Sequence, residues 1–246
     1  MDNSIIKKPL YNRIILKISG EIFQVYDICK IDVKILKSIS QEIKRLVNIG
    51  IQIGIVIGGG NIIRGSMSKN INISKVTADN MGILATIMNG LVLRDILNNL
   101  SIKTCLMSAT KTNSMCEDYN LEKVLDCFNN KKVVIFSGGI GHPFFTTDTA
   151  ACLRAIETQS DVVLKATKVN GIYSSDPEQC CNAIKYRRLS YSYVIKKEFK
   201  VMDLTAFILA RDHNVPICIF NMYDIGVLYK IVMGQKIGTM VGALNK

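Results

Sequence analysis

The sequence has no C-x-x-C pair, no cysteine or histidine at zinc-ligand spacing, and no G-x-x-x-x-G-K-[ST] loop. The two histidines, His142 and His213, stand alone, so no zinc site is expected. The eight cysteines do not form a disulfide pattern. Cys180 and Cys181 are adjacent, a poor geometry for cross-linking or chelation. Cys105 and Cys218 lie inside apolar runs, where a thiol behaves as a small hydrophobe. No apolar run approaches the roughly 20 residues that span a bilayer, so no membrane partner is expected. The start, MDNSIIKKPLYNR, lacks the apolar segment of a signal peptide. A cytoplasmic protein is the expectation. The missing Walker loop excludes a P-loop nucleotide kinase. No G-x-G-x-x-G follows a strand, because Ile63 stands where the third glycine belongs, which disfavours a dinucleotide dehydrogenase.

What is present is a chain of 246 residues, 48% hydrophobic and 21% charged, enough for a large core. No linker or internal repeat divides it, so residues 1–246 read as one domain, with a soft hinge expected over 168–190. The net charge of +11 fits anionic partners. The lysines are scattered along helices without interleaved aromatics, so a solvated basic surface is expected rather than a nucleic-acid interface.

Strand-like runs are read at 14–18, 51–57, 102–107, 132–137, 161–166, 216–220 and 239–241. Helical patterns are read from an Asp32 cap to Gly50, and over 79–97, 119–128, 147–157, 203–213 and 225–233. The 79–97 pattern places Leu84, Ile87, Met88, Leu91 and Val92 on one side. Alternating elements, with strands apolar on both faces, predict an α/β fold with a mostly parallel sheet covered by helices. The unusual residues fall at carboxyl ends of strands: KISG from Lys17, GGGN from Gly58, SGGIGHPFFTTD from Ser137, and KATKVNG from Lys165. Those ends share one edge of an open parallel sheet, where ligands bind. The 137–148 stretch, with three glycines leading into a helix, suits an anion, although taken alone an ordinary strand-to-helix turn is the favoured reading.

KISGE (17–21), IGGGNIIRG (57–65), GHPFFTTDTAA (141–151), LKATKVNGIYSSDP (164–177) and KVMDLTAFILARDHNVPI (200–217) together resemble the bacterial UMP kinases. These belong to the amino-acid-kinase fold group, and the likeness runs from Tyr11 to Gly242. It implies a three-layer αβα sandwich and transfer of the ATP γ-phosphoryl to UMP, giving UDP and ADP. It also implies Mg²⁺ carried with ATP, no dedicated protein metal site, and a homohexamer. Carried residue by residue, Lys17, Ile18, Ser19, Gly20, Gly60, Arg64, Thr167, Asn170, Tyr173 and Asp176 match ATP contacts. Gly59, Asp79 and the loop Ile140, Gly141, His142, Pro143, Phe144, Phe145, Thr146 and Thr147 match UMP contacts. Each has a plainer alternative: Tyr173 as core, Asp79 as a helix cap, Thr167 as a strand-end residue.

The implied chemistry suits the residues. The UMP phosphate has a second pKa of about 6, so it is already an anionic nucleophile at neutral pH and needs no general base. Lys17, Lys165 and Arg64 are the candidate catalytic cations, and Asp148 would orient the lysines or the metal. The sequence departs from the family at Ile140 and His142, where a hydroxyl and an amide are usual, and at Asn170, where an aspartate is. Residues 24–32 lack the glycines associated with GTP activation, so weakened activation is expected. The 79–97 helix fits either a subunit interface or a buried core element. Two other readings compete: a kinase of this fold group acting on a carboxylate or carbamate, and a basic nucleic-acid-binding protein on the same scaffold.

Overall fold

The computed structural model describes residues 8–20, 33–63, 72–177, 179–180 and 182–243. Arg64, the 24–32 segment and the Asp32 cap lie outside the described residues. The strands are β1 (Arg13–Ile18), β2 (Gln52–Ile57), β3 (Thr104–Ser108), β4 (Glu117–Asp118), β5 (Val133–Ser137), β6 (Val162–Thr167), β7 (Arg188–Leu189), β8 (Ile217–Asn221) and β9 (Thr239–Val241). The helices are α1 (Val33–Asn48), α2 (Lys75–Asn99), α3 (Leu121–Asn129), α4 (Thr147–Glu157), α5 (Tyr191–Lys197), α6 (Leu204–Asp212) and α7 (Val227–Val232).

The strands form one sheet in the order β4-β3-β5-β2-β1-β6-β8-β9-β7. Every pairing is parallel except β8 with β9. Side chains alternate across a strand, so the longer strands feed two cores. Ile14, Leu16 and Ile18 join Leu36, Ile43, Leu97 and Leu228 on the face covered by α1, α2 and α7. Ile15 and Val163 join Phe128, Ala151, Val194 and Phe207 under α3, α4, α5 and α6. Helices on both faces of the sheet make the three-layer αβα architecture.

β1, β2, β5 and β6 are neighbours and parallel, so the four glycine-bearing strand ends lie along one edge. The short elements β4, β7 and α5 have no counterpart in the sequence reading. Two-residue strands are too short for a periodic pattern, and α5 has a single turn of apolar residues.

Three helix starts differ from expectation. α7 begins at Val227 rather than 225, after Gly226 turns at φ of 75°. α3 begins at Leu121, because the Asn120 side chain accepts from Lys123 N–H. α2 begins at Lys75 rather than Asp79, because the Ser74 side chain accepts from Thr77 N–H and caps the end. Asp79 is therefore not the cap. The apolar side assigned to α2 also divides: Ile87 is buried, whereas Leu84 and Met88 are 57% and 55% exposed. By length and composition α2 could cross a membrane. Yet it packs against α1, β2, β3 and β5 and buries Thr86 and Asn89, so it is a layer helix of this sheet.

Candidate active site

Strand parity puts two lysines under one helix end. Lys17 in β1 and Lys165 in β6 are paired in register and share the parity of Ile15 and Val163, facing α4. Asp148 lies in the first turn of α4, whose start is fixed by the Thr146 hydroxyl accepting from Asp148 N–H at 3.1 Å. Its carboxylate meets both ammonium groups. Lys17 Nζ is 2.9 Å from Oδ1, and Lys165 Nζ donates to Oδ2. All three residues are more than nine-tenths buried.

Burial alone would raise the Asp148 pKa, but Lys17 and Lys165 outweigh it and hold the carboxyl below its usual range. Lys165 is pushed the other way for a lysine: burial lowers its pKa, with Lys17 adding to the effect and Asp148 opposing it. Two ammonium groups in direct contact with one carboxylate form a buried cationic centre suited to an oxyanion. Cys152, one turn along α4, is no nucleophile, because burial and the Asp148 and Asp203 charges push its thiol well up. The six described cysteines outside 181 and the undescribed segments are free thiols.

Asp203, read from the sequence only as a helix start, is tied to this centre. It caps α6 by accepting from Ala206 N–H at 2.8 Å, and also accepts from the Thr149 hydroxyl at 3.0 Å and from the Thr146 hydroxyl. The signal was present as an aspartate before an apolar helix. Its reach to Thr146 and Thr149, more than 50 positions earlier, was not.

A cleft of about 300 Å³ opens at the start of α4, lined there by Thr146 and Thr147. It brings together Gly59, Asp79, His142, Phe145, Thr146 and Thr147. Asp79 fixes the loop over it: Oδ2 accepts from Phe144 N–H at 2.9 Å, and Oδ1 accepts from Lys75 at 2.5 Å. Phe144 has φ of 71°, a left-handed conformation that this bond helps hold. The Phe144 side chain itself points to solvent. Ile140 packs against the α4-side core, so its side chain serves the loop's seating. Gly141 turns at φ of 85°.

Gly20, past the end of β1, backs onto the turn after β2, which lines this cleft through Gly59 and Gly60. A Cβ there would lie 2.5 Å from Gly60 N, so the close approach admits only glycine. Ser19 is half-buried beside it. A second cleft, of about 600 Å³, is bounded by Gly171, Tyr173, Asp176, Tyr186, Phe199 and Lys200. Tyr173 is half-buried and bridges to Lys185, so it is a wall of that cleft rather than core. Thr167 closes the turn at the β6 end, donating to Val169 O at 2.8 Å. Asn170 follows in the same turn and does not line either cleft.

The donor set does not build a cage for a resident Mg²⁺. Both Asp148 oxygens face lysines, and the described residues contain no group of three acidic, histidine or cysteine side chains placed to hold a metal.

The model of the amino acid kinase family matches residues 12–221. A uridylate kinase of Buchnera aphidicola subsp. Acyrthosiphon pisum is 52% identical over 236 residues, covering 96% of this chain and 98% of that one. The uridylate kinase of Escherichia coli K12 is 51% identical over 234 residues, covering 95% and 97%. The crystal structure of UMP kinase from Bacillus anthracis superposes with a TM-score of 0.92 at 38% identity, covering 96% of this chain and 97% of its own.

Proposed function

The chain belongs to the amino acid kinase family, and from that premise we infer that it is an ATP:UMP phosphotransferase supplying UDP to pyrimidine nucleotide synthesis. The observation that carries the reading is the buried Lys17–Asp148–Lys165 cluster, set at the sheet edge whose strand-end turns line two clefts.

UMP is assigned to the smaller cleft, with Asp79 on the ribose and loop 140–147 over the base and phosphate. Here His142 supplies a ring N–H where the family has an amide. ATP is assigned to the larger cleft and the glycine turns at 18–20 and 60. Asp176 and Tyr173 would flank its nucleoside, with Thr167 and Asn170 at the turn. An oxygen of the UMP phosphate attacks the γ-phosphorus as the bond to the β,γ-bridging oxygen breaks, leaving that electron pair on ADP. No proton moves at the nucleophile. Lys17 and Lys165 balance charge on the transferring group, and Asp148 holds them in place without leaving the ion pairs. Arg64 is assigned beside them by resemblance alone. Mg²⁺ carried with the ATP polyphosphate would supply charge neutralisation there.

We further propose a cytoplasmic homo-oligomer, a hexamer by family resemblance. The exposed Leu84 and Met88 on α2 support a subunit contact on that face. Weakened GTP activation remains the proposal for a chain lacking glycines at 24–32. ADP release over a panel of UMP, CMP, dCMP, aspartate and acetylglutamate tests the reading. Turnover confined to UMP supports it. Phosphorylation of a carboxylate acceptor instead would overturn it.

A further inference from the structure

α2 carries a row of polar and small residues, Asp79, Gly82, Thr86 and Asn89, spaced three, four and three apart. That spacing keeps them on one helix face. Thr86 and Asn89 are buried, at 3% and 1% exposure, on a helix that leaves Leu84 and Met88 in solvent. Burying polar side chains while exposing apolar ones is unfavourable unless the polar groups are matched. Both are matched, and by corresponding residues. Gly58 is the first residue past β2, and Gly138 the first past the neighbouring β5. Asn89 Nδ2 donates to Gly58 O at 2.7 Å, and Thr86 Oγ1 accepts from Gly138 N–H at 2.8 Å while donating to Ile83 O at 2.6 Å. Asn89 also pairs with the Asn61 amide, at 2.7 Å and 3.2 Å in the two directions. Sheet pairing ends at these residues, so the helix takes over where the ladder stops.

We propose that Thr86 and Asn89 are positioning residues that register the two glycine turns of the substrate edge against one rigid helix. Thr86 sets the start of the acceptor loop, and Asn89 sets the 58–61 turn. Thr86 also lines the smaller cleft, and each residue grips its turn through backbone, Thr86 at Gly138 N–H and Asn89 at Gly58 O. Gly138 has φ of 75°, so its N–H is aimed by a conformation the turn must keep. The fit is tight: a Cβ on Gly59 would lie 2.7 Å from Gly82 O and 2.8 Å from Ala85 Cβ. Shifting either turn would therefore shift it relative to α2 and to Lys17 and Lys165.

This proposal rests on the UMP kinase reading, and its test separates the two. Thr86→Val keeps the shape and removes the hydroxyl, whereas Thr86→Ser keeps it. Steady-state kinetics should show Thr86→Val lowering kcat/KM for UMP roughly 10-fold, with KM for ATP within about twofold. Thr86→Ser should restore the wild-type values. Hydrogen exchange on the ligand-free proteins gives a readout that needs no turnover. Thr86→Val should speed exchange at 138–140 roughly 10-fold and leave 58–61 unchanged, and Asn89→Leu should do the reverse. If wild type fails to use UMP while the exchange pattern holds, the functional reading fails and the positioning role stands. Equal loss for both substrates, uniform acceleration of exchange, failure of both Thr86→Val and Asn89→Leu to fold, or no rescue by Thr86→Ser would each overturn the proposal.

Discussion

Asp148→Asn is the sharpest perturbation of the centre, because it keeps volume and removes only the charge between two buried ammonium groups. Removing one partner of a buried ion pair costs about 3–5 kcal/mol. In a chain of this length each kcal/mol moves Tm by about 2–4 °C, so a fall of about 6–20 °C is expected. The deficit should depend on pH with a definite sign. Burial already lowers the Lys165 pKa, and Asp148 opposes that. Without the carboxylate the folded pKa drops further below the unfolded value of about 10.4. The unfolded state then binds more protons, so stability rises as pH climbs from the folded to the unfolded value. The variant should therefore recover Tm relative to wild type between neutral and alkaline pH. Inorganic triphosphate should raise its Tm more than that of wild type, by supplying the missing negative charge. Turnover should fall about 100- to 1,000-fold, the scale of losing preorganised charge. Thermal melts across pH, with and without triphosphate, are the assay. A variant that melts with wild type at every pH would show that the carboxylate does not hold the lysines, and the electrostatic argument would be wrong.

Lys17→Ala leaves Asp148 paired with Lys165, so circular dichroism should show an intact fold while kcat drops about 100-fold or more. An unchanged kcat would remove Lys17 from the mechanism. Because burial lowers the Lys165 pKa, kcat should fall on an alkaline limb below the ordinary lysine value of about 10.4, measured by direct UDP quantification. A flat profile through that range would count against a charged Lys165. Leu84→Asp on the exposed face of α2 should shift the sedimentation coefficient to a smaller species without lowering the monomer's helicity. An unaltered assembly would place the contact elsewhere.

The sequence by itself determined the alternation of strands and helices and the four glycine-rich strand ends. It also supplied the residues of the charged centre. These are local facts: β-branched runs, turn glycines and a threonine-aspartate helix start write their structure within a few positions. Even the parity that sets Lys17 beside Ile15 and Lys165 beside Val163 is a period-two statement. Only the tertiary structure decided that β1 and β6, nearly 150 positions apart, are neighbours in register, and that α4 lies over that face. Pairing across such separations depends on the closure of the whole sheet. The same limit hid Asp203 behind its cap and turned α2 around. Periodicity sorts residues by hydrophobicity, whereas this helix faces the site with Asp79, Thr86 and Asn89 because strand-end amides and carbonyls there need partners.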